Sequence, residues 1–124
     1  MEIIISNASD KPIYEQIAAQ IKDAVLAGEL AAGDALPSIR ALANDLHVSV
    51  ITTKRAYSDL ESLGFIETVQ GKGSFVAGGN LELLREERLR HIEDLLGRAL
   101  DSARSANVTI AELHDMLDVL GAVG

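Results

Sequence analysis

Residues 36–76 leave few folds open. Leu36-Pro37 reads as a brief extended piece, and Ser38 is a plausible N-cap for a short helix whose Leu42, Ala43 and Leu46 face inward. His47-Val48 is a turn. A further helix runs from about Ser49 to Leu63 and stops at Gly64. Phe65 to Val69 and Ser74 to Val76 then read as strands joined through Gln70-Gly71-Lys72-Gly73, a hairpin signal. Two short helices followed by a glycine-tipped hairpin predict a winged helix-turn-helix, a layout that sets one helix in the DNA major groove.

The flanks fit that core. Glu2 to Ser6 is rich in isoleucine and predicts a short strand, with a turn over Asn7 to Lys11. Pro12 suits the first position of a helix, where its missing N–H is not needed. Ile13, Ile17, Ile21 and Val25 recur every fourth residue and predict one buried face of a helix reaching about Ala27, ended by Gly28. Gly33-Asp34 is a turn. Beyond Val76, Gly78-Gly79 is the one linker signal, and a long helix follows from about Leu81 to Ala106. Thr109-Ile110-Ala111-Glu112 is a capping box that opens a last helix, striped by Ile110, Leu113, Leu117 and Leu120. The expected fold class is therefore mainly α with a small β-wing (α+β). Residues 1–77 form the winged helix-turn-helix DNA-binding domain, and residues 80–124 form a helical tail.

A net charge of −8 argues against nucleic-acid binding, since phosphate attraction supplies most non-specific affinity. The position of the charge weakens the objection. Within residues 38–58 the charged side chains are Arg40, Asp45, Lys54 and Arg55, a local positive excess. The acids cluster before Gly33-Asp34 and along the long tail helix. An acidic body around a small basic face favours weak non-specific binding and leaves discrimination to the contact helix.

That helix carries an unusual outer face. At 100° per residue, Thr53, Ala56, Tyr57, Leu60 and Leu63 fall together as core, while Val50, Ile51, Lys54, Arg55 and Ser58 fall opposite. Two β-branched apolar residues beside two cations suit a groove: the apolar pair packs on thymine methyls, and Lys and Arg reach guanine or phosphate. Ser49 and Thr52 stand at the helix N-terminus as hydroxyl donors to a phosphate, alongside free backbone N–H groups. Arg40, just after Ser38, lies where a helix-turn-helix crosses the backbone, and Gly71 and Gly73 let Lys72 approach it closely. Competing readings remain: Val50-Ile51 as core in a rotated register, or as a face that docks a protein, and Gly-Lys-Gly as an ordinary solvated turn.

With those residues in view, the chain resembles the GntR-type bacterial transcriptional regulators. The likeness covers residues 12–76: Pro12-Ile13-Tyr14, Gly28-Glu29-Leu30, Gly33-Asp34-Ala35-Leu36-Pro37-Ser38, Arg40, Leu42-Ala43 and Gly73-Ser74-Phe75-Val76. The short tail is similar to that of the YtrA subfamily, whose members have two helices for dimerisation. The resemblance implies DNA contact at Arg40, Thr52 and Arg55. It departs at Val50, where the family commonly has arginine, so an altered base preference is expected there.

Two tail helices cannot bury their own stripes, so a homodimer is expected through Leu84, Ile92, Leu95, Leu96, Ala99, Leu113, Leu117 and Leu120. The competing reading packs the tail on its own domain. A dimer would read a pseudo-palindromic double-stranded DNA operator, most simply as a repressor. No cofactor or metal is implied. A small-molecule effector would find room only between the tail helices, between subunits or near Gly78-Gly79.

The chain has no cysteine, Met1 to Ile5 lacks the basic start of a signal peptide, and no apolar run nears the ~20 residues of a membrane span. The expectation is a cytoplasmic protein without a membrane partner. Nor is an enzyme expected. His47, His91 and His114 have no metal spacing, no nucleophile–base pair stands out, and Gly71-Lys72-Gly73-Ser74 lacks the spacing of a phosphate loop.

Overall fold

The computed structural model describes residues 1–79 and 81–123; Asn80 and Gly124, the two ends of the expected tail, lie outside the described residues. The elements are α1 (Ile13–Leu26), α2 (Ile39–Leu46), α3 (Val50–Ser62), β1 (Ile66–Val69), β2 (Gly73–Val76), α4 (Leu81–Ser105) and α5 (Ile110–Val123). They divide into two compact units, one from Met1 to Arg85 and one beginning at Glu86.

The first unit is built on the isoleucine stripe of α1. Ile17, Ile21 and Val25 are buried and pack with Leu42 of α2, Ala56, Tyr57 and Leu60 of α3, and Ile66 and Val76 of the hairpin. Burying one such aliphatic side chain contributes about 1.5–3 kcal/mol, so this cluster is the main stabilising term of the unit. β1 and β2 pair antiparallel from Ile66 opposite Val76 to Val69 opposite Gly73. The extended piece before α2 joins them: Leu36 N–H donates to the Ser74 carbonyl at 2.9 Å, and Val76 N–H donates to the Asp34 carbonyl at 2.9 Å.

The expected N-terminal strand does not form. Residues 2–6 run extended, but their backbone pairs with side-chain amides of α1. Gln20 accepts from Ile4 N–H at 2.9 Å and donates to its carbonyl at 2.8 Å. One helical turn earlier, Gln16 accepts from Ser6 N–H at 2.8 Å and donates to the Ser6 and Lys11 carbonyls at 3.0 and 2.9 Å. Glutamines four apart share a helix face and match alternate residues of an extended strand, so two amides stand in for a partner strand. Leu63, expected in the core, is the half-exposed C-cap of α3, where the helix ends before Gly64. Phe65 is buried just ahead of β1 rather than within it.

The first unit also reaches past Gly78-Gly79. Leu81 and Leu84 pack against its core, and the Arg85 guanidinium donates to the Leu26 carbonyl at 2.7 Å, closing the C-terminus of α1. Leu84, expected at a dimer interface, is partly buried here against the core of its own unit.

The second unit consists of the rest of α4 and α5. Ala103 is buried, and its carbonyl accepts from Val108 N–H at 2.8 Å across the turn. Asn107 adopts a left-handed conformation there, with φ 57°. Thr109 caps α5 by accepting from Glu112 N–H at 3.1 Å, as its capping box requires. No residue of α5 is buried.

Candidate nucleic-acid interface

Two serines start the two helices of the motif. Ser38 accepts from Ala41 N–H at 3.1 Å and Ser49 accepts from Thr52 N–H at 3.0 Å, so each helix begins on a side-chain cap. Between them His47 takes φ 57°, a left-handed turn that reverses the chain between α2 and α3. Tyr57, from the buried face of α3, donates to the Pro37 carbonyl at 2.7 Å and ties α3 to the entry of α2. Burial raises the Tyr57 phenol from 10.0 to about 12.

The face opposite Tyr57 is open. Val50 is 47% and Ile51 81% exposed, in the first turn of α3, with Lys54 and Arg55 exposed one turn on. This excludes the rotated register in which Val50 and Ile51 would be core. Ser49 does not offer the donor expected of it: its hydroxyl donates to Thr52 Oγ1 at 2.8 Å. The hydroxyl proton of Thr52 stays available, which makes Thr52 the donor at this end of α3.

Arg40 is exposed on the second residue of α2. At the hairpin tip Gly71 and Gly73 have φ 80° and 113°, a backbone shape L side chains rarely adopt, and Lys72 stands exposed between them. Ser38, Arg40, Ser49, Val50, Ile51, Lys54, Arg55, Gly71, Lys72 and Gly73 are thus all exposed on the first unit, and Thr52 is half-buried.

Two partners of this surface were not foreseen. One is the Tyr57–Pro37 hydrogen bond. The other is Tyr14 of α1, over whose ring the Arg55 guanidinium carbon lies 3.8 Å from the centroid. The available signal was helical spacing: Tyr14 stands one turn before Ile17 and Ala18, at the margin of the stripe that packs on α3.

In the second unit Ile92, Leu95 and Leu96 of α4 and Leu117 and Leu120 of α5 are between 45% and 70% exposed, as is Met116. Leu96, Ala99, Leu100, Leu113, Leu117 and Leu120 line an open apolar groove of about 420 Å³, with His114 at its side. Among the described residues no group of three His, Asp or Glu side chains is placed to hold a metal ion, and no helix is long and apolar enough to cross a membrane.

Comparison with known proteins agrees with this geometry. Residues 13–76 match the family described as bacterial regulatory proteins, gntR family. The chain is 35% identical over 120 residues to the HTH-type transcriptional repressor YtrA of Bacillus subtilis, covering 97% of this chain and 92% of that one. A transcriptional regulator from Oenococcus oeni superposes with a TM-score of 0.75 at 25% identity, over 94% of this chain and 96% of that one. The DNA-binding domain of AraR, solved in complex with operator ORX1, superposes with a TM-score of 0.55 at 29% identity, over 62% of this chain and 96% of that one.

Proposed function

This chain belongs to the gntR family of bacterial regulatory proteins, on its YtrA-like branch, and we propose that it is a repressor that binds a pseudo-palindromic operator as a homodimer. Proteins of this family are transcription regulators rather than enzymes. α3 enters the major groove. Val50 and Ile51 pack on thymine methyls, Lys54 and Arg55 reach guanine or phosphate, and Thr52 donates to a phosphate. Arg40 contacts the backbone from the start of α2, and Lys72 does so from the wing.

The observation that carries this reading is the exposure of Val50 and Ile51 in the first turn of α3, beside Lys54 and Arg55. β-branched residues at that position leave apolar surface open to solvent, and a groove lined by thymine methyls would cover it. The AraR domain bound to its operator supports the same use of the shared fold.

The apolar groove of the second unit supports self-association. Each exposed leucine that a second copy covers contributes about 1.5–3 kcal/mol. Two winged helices related by a two-fold axis then read half-sites about one DNA turn apart, or a multiple of that. Repression is steric, by occupancy of an operator that overlaps a promoter. An effector that altered the spacing of the two α3 helices would release it.

The test is affinity against salt for a duplex the chain selects from a random pool. Arg40→Ala and Arg55→Ala should each weaken binding and flatten the salt dependence. A protein-docking face would show neither effect.

A further inference from the structure

We propose that Tyr14 is a positioning residue for DNA recognition by α3: its ring holds one face of the Arg55 guanidinium, so that the edge carrying the N–H donors is presented to the duplex. This inference rests on the function proposed above and names a part of that site outside the helix-turn-helix.

The guanidinium is planar, with five N–H donors around its edge and two π faces. The Arg55 guanidinium carbon lies 3.8 Å from the Tyr14 ring centroid, well inside the ~6 Å reach of a cation–π contact. Such a contact occupies a face and leaves the edge donors unspent. A carboxylate partner would do the reverse, consuming the donors and neutralising the charge before a phosphate arrived. Among the described residues no carboxylate pairs with Arg55, although Asp59 stands one helical turn beyond it.

The ring itself is firmly mounted. Tyr14 sits half-buried on α1, one turn before Ile17 and Ala18, which are buried in the core that α1 shares with α3. Its hydroxyl donates to Glu15 Oε1 at 3.4 Å, a long contact on the exposed side. The Arg55 contact therefore depends on the ring and not on the hydroxyl. A long, flexible arginine held this way loses less freedom when DNA binds, which is a gain from preorganisation rather than from a new contact.

The experiment uses the full chain and the duplex that the wild-type chain isolates from a random DNA pool. Affinity is measured for Tyr14→Phe, Tyr14→Leu, Arg55→Ala and the double variant Tyr14→Leu/Arg55→Ala. Tyr14→Gln is run alongside, in case the leucine variant does not fold. Tyr14→Phe should bind within about twofold of wild type. Tyr14→Leu, or Tyr14→Gln in its place, should weaken binding about three- to fivefold, and should have no further effect once Arg55 is alanine. Loss by the same factor in both backgrounds would mean that Tyr14 only supports the fold, and wild-type affinity in the Tyr14 variants would mean it does nothing; either overturns the proposal. Failure of the wild-type chain to enrich any duplex would overturn the parent function first, and this inference with it.

Discussion

The Tyr57 hydroxyl donates to the Pro37 carbonyl at 2.7 Å, linking the middle of α3 to the residue before the Ser38 cap of α2. The bond sets the two helices of the motif against each other at the point where the chain enters it. Tyr57→Phe should lower stability by about 1 kcal/mol in a denaturant titration, the usual net worth of such a bond.

The same tyrosine makes stability fall at high pH. Its phenol is pushed up from 10.0 to about 12 by burial, which disfavours the charged form. The unfolded chain gives up this proton from about pH 10 and the folded chain only near pH 12. The contribution is therefore complete below pH 10 and is lost as pH rises towards 12. Thermal melts across that interval should show the loss in wild type, and a smaller loss in Tyr57→Phe.

Gln16 is a second point where one side chain organises a segment. It is buried, and its amide makes three hydrogen bonds to the backbone of Ser6 and Lys11. Gln16→Leu would leave those groups without their partner, at about 1–3 kcal/mol. Hydrogen exchange at Ser6 should speed up accordingly, while amides in the middle of α3 keep their protection relative to the new global stability.

Most of the fold was legible because it rests on local signals. The Ile13–Val25 stripe, the Ser38, Ser49 and Thr109 caps, and the Gly71–Gly73 tip each act within a few residues, and each element stands within a residue or two of its expected place. What failed was non-local or atypical. An isoleucine-rich segment reads as a strand whatever pairs with it, and nothing in residues 2–6 says that the partner is two glutamine amides on α1. Leu84 belongs to the tail by sequence, but its neighbours in space are the core of the first unit. The Arg55–Tyr14 contact joins α3 to α1, and Ser49, besides accepting the capping bond from Thr52 N–H, gives its hydroxyl proton to Thr52 Oγ1, which residue type and spacing do not reveal.

Wing and helix should separate in mutagenesis. Lys72→Ala should weaken binding about equally for all duplexes and reduce the slope of log K against log salt by about one. Val50→Arg should instead change which base is preferred at one position of each half-site, since it replaces an apolar contact with a bidentate donor to guanine. Competition assays with duplexes varied one base at a time distinguish the two outcomes.

The tail leucines should control association and not folding. Leu117 and Leu120 are 56% and 70% exposed in the single chain, so charges there disturb little of its own packing. Leu117→Glu/Leu120→Glu should sediment as a monomer, with the melting of the first unit unchanged, and should lose at least tenfold in affinity for a two-half-site duplex. A double variant that remained dimeric would move the interface off this groove.

The most direct measurement is selection of duplexes by this chain from a random pool, followed by sequencing. The predicted result is an inverted repeat whose half-sites are centred about 10 base pairs apart, or a multiple of that, with thymines at the positions facing Val50 and Ile51. A pool that shows no enrichment over the input, or one whose enriched duplexes are retained equally by the Arg40→Ala and Arg55→Ala chains, would contradict it.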